Sequence, residues 1–164
     1  MEDKNLEKTV DNDWERALIE DEQKEVEKGN INRTLIKMRA DSCNAFMSDI
    51  RSIKMYYLIA YKNRERSKFA EENNDVDSLK NYYDNAKSAL DKTKSMVKGL
   101  SKKANLALEN TKKIKTNNSI YVEKKIYKLM SIVEEYYFDT ETLTCKIKDS
   151  LDRVLSMQDS LQQQ

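Results

Sequence analysis

Val76, Leu79, Tyr83, Ala86, Leu90, Thr93, Val97, Leu100, Ala104, Ala107, Thr111 and Ile114 alternate steps of three and four residues without a slip. A strand turns every second side chain to one face, so no sheet can use this pattern. A helix gathers all of these positions along one stripe. A second stripe of the same kind runs through Ile126, Leu129, Val133, Tyr136, Thr140, Leu143, Ile147, Ser150, Val154 and Met157. A looser one joins Ile36, Ala40, Cys43, Met47, Ile50, Tyr57 and Tyr61, widened by Phe46 and Ile53. No proline and only two glycines interrupt the chain, and Lys, Glu, Leu, Met and Gln favour helix locally.

These stripes predict an all-α fold. It is an elongated antiparallel bundle of three long heptad-patterned helices, over about 31–70, 76–116 and 119–161, preceded by a short acidic N-terminal helix. With 164 residues, 38% of them hydrophobic and 36% charged, the chain supplies one such core rather than two. The domain reading is therefore an acidic segment over 1–30, a bundle over 31–161 and a frayed tail over 162–164.

The breaks are Glu71-Glu72-Asn73-Asn74-Asp75 and Thr116-Asn117-Asn118-Ser119, where Asn takes the helix-ending role that Gly usually holds. Asn12 three residues before Glu15 forms a capping box for the front helix, with Trp14, Leu18 and Val26 apolar beyond it and an end near Gly29-Asn30. Folding at the two breaks predicts one layer of Tyr61, Tyr83 and Leu151 and another of Met47, Leu100 and Tyr136. Tyr56, Tyr82 and Tyr137 fall beside the stripes and are expected to keep their rings at the bundle edge with the hydroxyls in water.

Charge is sorted along the chain although the total is only +1. Residues 1–30 hold five basic and eleven acidic residues, net −6, and residues 31–70 hold nine and three, net +6. Residues 71–90 carry net −3, residues 91–130 net +8 and residues 131–164 net −4. In an antiparallel bundle Arg33, Lys37 and Arg39 come to the same pole as Lys112, Lys113, Lys115, Lys124, Lys125 and Lys128. That basic pole is the candidate site for an anion or a partner, and the acidic front segment enters beside it as a competitor.

The usual chemical centres are missing. Without histidine there is no imidazole base and no Glu-x-x-His carboxylate-metal set, and Gly29 and Gly99 alone make neither a phosphate loop nor a dinucleotide fingerprint. Glu134 and Glu135 flank an apolar seam and read as solvated, Cys43 reads as a small core residue, and Cys145 reads as a surface thiol without a base to activate it. No catalytic residue, cofactor or metal is expected, and no small-molecule substrate.

The functional expectation is a non-enzymatic helical protein-protein interaction module, or scaffold subunit of a larger assembly, acting by coiled-coil-type packing on a helical partner, self included. The alternative is an anion-binding protein, for nucleic acid or an acidic membrane surface, using the basic pole; the lysine-rich, arginine-poor pole argues against base reading. Glu2, Asp3 and Glu7 precede any apolar run, unlike a leader peptide, and no stretch reaches membrane-spanning length, so the expected location is intracellular and cytoplasmic.

Overall fold

A computed structural model of the chain describes residues 13–28, 33–112 and 117–162, all but a few of them helical. Four helices follow in order: α1 (Asp13–Glu27), α2 (Arg33–Glu72), α3 (Val76–Lys112) and α4 (Asn117–Gln162). Side chains are described over 14–28, 46–110 and 120–162. The all-α expectation holds. No helix among the described residues is long and apolar enough to cross a membrane.

The first break is narrower than the sequence predicts, because α2 runs through Glu72 and the break is confined to 73–75. Asn74 adopts φ 53°, the left-handed region that asparagine enters more readily than most side chains. Asp75 N donates to Ala70 O at 2.8 Å and Asn74 N to Glu71 O at 3.1 Å, so the last carbonyls of α2 are satisfied by the six-to-one and five-to-two bonds of a Schellman ending. Asp75 then caps α3: its Oδ1 accepts from Ser78 N at 3.2 Å and its Oδ2 from Ser78 Oγ at 2.7 Å, which holds the carboxyl below the usual carboxylate range. At the second break Asn117, Asn118 and Ser119 belong to the first turn of α4 rather than to the link. The capping-box Asn12 and the Gly29-Asn30 end of the front helix lie outside the described residues.

The chain divides into two compact units, each taking segments from more than two helices: Met1–Arg51 with Lys98–Val133, and Ser52–Val97 with Glu134–Gln164. In the first, Phe46 and Ile50 of α2, Leu100 and Ala104 of α3, and Ile126, Leu129 and Val133 of α4 enclose one apolar interior, and Leu18 of α1 is buried as well.

The second unit has a core of mixed character. Tyr57 is fully buried, its ring centroid 5.5 Å from that of Tyr136 and 6.3 Å from that of Tyr61. Ala70, Leu79, Leu151 and Val154 form a cluster flanked by Val76, Tyr82 and Leu155. Thr93 and Thr140 are fully buried, yet neither leaves a hydroxyl unsatisfied: Thr93 Oγ1 donates to Ala89 O at 2.8 Å and Thr140 Oγ1 to Tyr136 O at 2.7 Å. Bonding back to the carbonyl one turn earlier lets a threonine occupy an apolar seam at small cost.

Two expectations of register change. The α2 residue clustered with Leu151 is Ala70, not Tyr61, and Tyr136 packs its ring at a tilt against Tyr57 while Leu100 lies among Phe46, Ile50, Ile126 and Leu129. Periodicity fixes which face of a helix is buried, whereas the axial register follows from where each helix stops and starts. Those limits lie at Glu72, Val76, Lys112 and Asn117 rather than at the assumed folding points. Met157, expected at the end of the third seam, is 54% exposed. Ala70 and Leu79 already adjoin the α2–α3 turn, so the last turns of α4 run on past that cluster.

Candidate interaction sites

The first site lies in the first unit, where α1 rests on α4. The face of α1 carrying Leu18, Asp21, Lys24, Glu25 and Lys28 repeats at helical spacing and turns toward Ile120, Tyr121, Lys124, Lys125 and Lys128. Between them is an open cleft of about 590 Å³, apolar at Leu18 and Ile120 and rich in lysine elsewhere. Asp21 Oδ2 accepts from Lys128 Nζ at 2.6 Å, and Glu22 lies 3.8 Å from Lys125 Nζ. The Lys128 ammonium, through this hydrogen bond and its charge, holds the Asp21 carboxyl below the usual range. At the other end of α1, Glu15 forms a two-pronged pair with Arg51, at 2.9 and 3.5 Å. Trp14 is half-buried, with its indole Nε1 enclosed and unpartnered among the described residues.

Of the pole residues, Lys124, Lys125 and Lys128 do line this cleft. Arg33, Lys37 and Arg39 belong to α2 and Lys112 to α3, with side chains outside the described part, and Lys113 and Lys115 fall outside the described residues. Lys24 and Lys28 were missed by reasoning from segment charge alone, because they sit within a net acidic segment. The signal that marks them is the 21, 24, 25, 28 spacing, which puts two acids and two lysines on one face.

The second site is on the second unit, where large apolar side chains face outward. On α2, Met55 is 61% exposed, Ile59 40% and Phe69 71%; on α4, Phe138 is 67% exposed. The exposed positions of α2 are offset by two residues, about 200° of helix, from the buried Ile53, Tyr57 and Ser67. Lys62 and Arg66 continue the same outer stripe and are exposed. Around Phe138 the stripe of α4 is acidic: Glu134, Glu135 and Glu141 are all exposed, and burial together with the charge of Glu135 raises the carboxyl of half-buried Asp139. The sequence hides the α2 stripe because Met55 to Tyr61 is apolar all round, so only the core side of that run stands out as a seam.

Tyr56, Tyr82 and Tyr137 are half-buried as expected, with Lys92 Nζ 5.8 Å from the centre of the Tyr56 ring. Cys145 is exposed beside Lys148, which itself lies 5.4 Å from the Tyr83 ring. The side chain of Cys43 is outside the described part. No group of potential metal ligands occurs among the described residues. Comparisons with protein-family models, with curated proteins and with solved structures find no match to this chain.

Proposed function

We propose that this chain is a non-enzymatic helical interaction module, whose three long helices pack antiparallel in coiled-coil fashion and whose outer helix faces receive another helical surface. The observation that carries this reading is the outward row Met55, Ile59 and Phe69 on α2, which exposes three large apolar side chains at helical spacing on a unit whose interior is already filled. Isolated exposed apolar residues are ordinary, but several on one face mark a surface that gains by being covered. The mechanism is apolar association with charge setting the register, so it weakens little with salt.

Photo-crosslinking in the expressing cell tests the reading. A photoreactive residue in place of Arg66, on the outer stripe, is expected to trap a protein adduct, whereas one in place of the exposed Asp84 on α3 traps none. Adduct at neither position, or equally at both, would overturn the module assignment for this face.

The lysine cleft under α1 supports a second reading, anion binding to a phosphate-bearing surface such as nucleic acid or an acidic membrane. Here Asp21 and Glu22 act as internal competitors for Lys128 and Lys125. The double replacement Asp21→Asn with Glu22→Gln is expected to tighten binding of inorganic polyphosphate about 3–10-fold at low salt, with the advantage fading as salt rises. Emission from Trp14, the one tryptophan of the chain, checks that α1 stays docked in the variant. Unchanged affinity with unchanged emission removes this reading.

A further inference from the structure

The outer faces of α2 and α4 in the second unit carry opposite patterns. The α2 face reads Met55, Ile59, Lys62, Arg66, Phe69 at steps of four and three, apolar at both ends and cationic in the middle. Lys62 and Arg66 have no ionic partner among the described residues. The α4 face reads Glu134, Phe138, Glu141 at the same steps, apolar in the middle and anionic on both sides. The remaining exposed face of this unit, on α3, holds Asn81, Asp84, Ser88, Asp91 and Ser95 and no large apolar side chain. Whatever covers the unit therefore gains most at α2 and α4.

From this complementarity we infer that the occupant of the α2 face is a second copy of this chain, presenting its α4 face, in a head-to-tail contact. The inference rests on the interaction-module reading and names its partner. With Phe138 of one copy seated against Ile59 of the other, a glutamate falls opposite Lys62 whichever way the two helices run: Glu141 if they run parallel, Glu135 with Glu134 one residue beyond it if antiparallel. The apolar contact removes Phe138 and Ile59 from water while Lys62 meets an opposite charge, the arrangement that sets register in paired helices. The symmetric alternative, α2 against α2, brings Lys62 and Arg66 of both copies together at its centre, and like charges facing each other oppose it. Because the two faces differ, each contact leaves one α2 face and one α4 face unused, so association continues beyond a dimer unless it closes into a ring.

Sedimentation equilibrium on the full chain is the test. The unaltered chain is expected to show a mass that rises with concentration past the dimer and persists at moderate salt. Ile59→Ser with Phe69→Ser breaks the α2 face, and Phe138→Ser breaks the α4 face; each protein alone is expected to associate at least about tenfold more weakly. Mixed in equal amounts, the two regain association that stops at one to one, since only one intact face of each kind remains in the pair. Phe69 and Phe138 are largely exposed and Ile59 is 40% exposed, so the helical circular dichroism should be unchanged. As a second measurement, Lys62→Glu with Arg66→Glu should weaken association, and pairing that protein with Glu134→Lys/Glu141→Lys should restore it. A monomer at every concentration overturns the inference, as does association that survives both face variants or a mixture that restores nothing. If the chain is monomeric and the crosslinker at position 66 still traps a different protein, the second-copy partner fails while the module reading stands. If nothing is trapped and nothing associates, both fail together.

Discussion

Replacing Tyr57 by alanine is expected to cost about 3–5 kcal/mol of unfolding free energy, measured by equilibrium urea denaturation at pH 7. Tyr57 is among the largest fully buried side chains of the described residues, at 0% exposure, and its ring meets those of Tyr136 and Tyr61. Truncation removes the apolar transfer energy of a whole ring, forfeits two aromatic contacts, and leaves a cavity that rigid helices fill poorly. Tyr57→Phe keeps the ring and is expected to cost only about 1 kcal/mol, so the gap between the two variants measures packing rather than the hydroxyl. A Tyr57→Ala loss below about 1 kcal/mol would mean that the Tyr57–Tyr136 contact is not part of the stable core.

The same site shows what sequence spacing can and cannot reach. Thr93 and Thr140 could be placed in the seams although they are polar, because position in a three-four repeat outweighs side-chain polarity when the hydroxyl can bond within its own helix; Ser150 keeps its seam position by donating to Glu71 of α2 instead. Asn74 could be placed as a helix terminator because few other side chains accept a positive φ. The partnership of Leu151 with Ala70 could not be read, since a repeat looks the same after every shift by seven residues. The α1 cleft was legible only in outline: block charge locates an acidic segment near a basic one, but the Asp21–Lys128 pair depends on how two helices meet in space. The outer stripe of α2 was hidden by its own hydrophobicity, because an apolar run on all sides of a helix does not announce which side is covered.

A polar cluster in the second unit carries the other large effect, one that depends on pH. Ser150, fully buried, donates from Oγ to Glu71 Oε2 at 2.6 Å and accepts from Arg64 Nη1 at 3.0 Å and Arg153 Nη2 at 3.1 Å. Arg153 closes a two-pronged pair on Glu71, Nε to Oε1 at 2.6 Å and Nη2 to Oε2 at 3.2 Å. The Arg153 guanidinium first, and the Ser150 hydroxyl second, push the Glu71 carboxyl down from 4.5 to about 2. A carboxyl depressed in the folded state stabilises it fully above the unfolded value, and that stabilisation is lost as pH falls toward the folded value. Taken at face value the shift corresponds to about 3 kcal/mol, but the Arg153 side chain is 57% exposed and water screens the pair. Glu71→Gln is therefore expected to cost about 1–2 kcal/mol at pH 7. The difference between the two proteins should stay constant down to about pH 5, narrow between 4.5 and 2, and vanish below. Urea unfolding of both proteins across pH 2 to 7 gives the curve directly. A difference that does not change with pH would assign the loss to altered packing around Ser150 and not to the charge on Glu71, because only the ionised carboxylate is linked to proton uptake on unfolding.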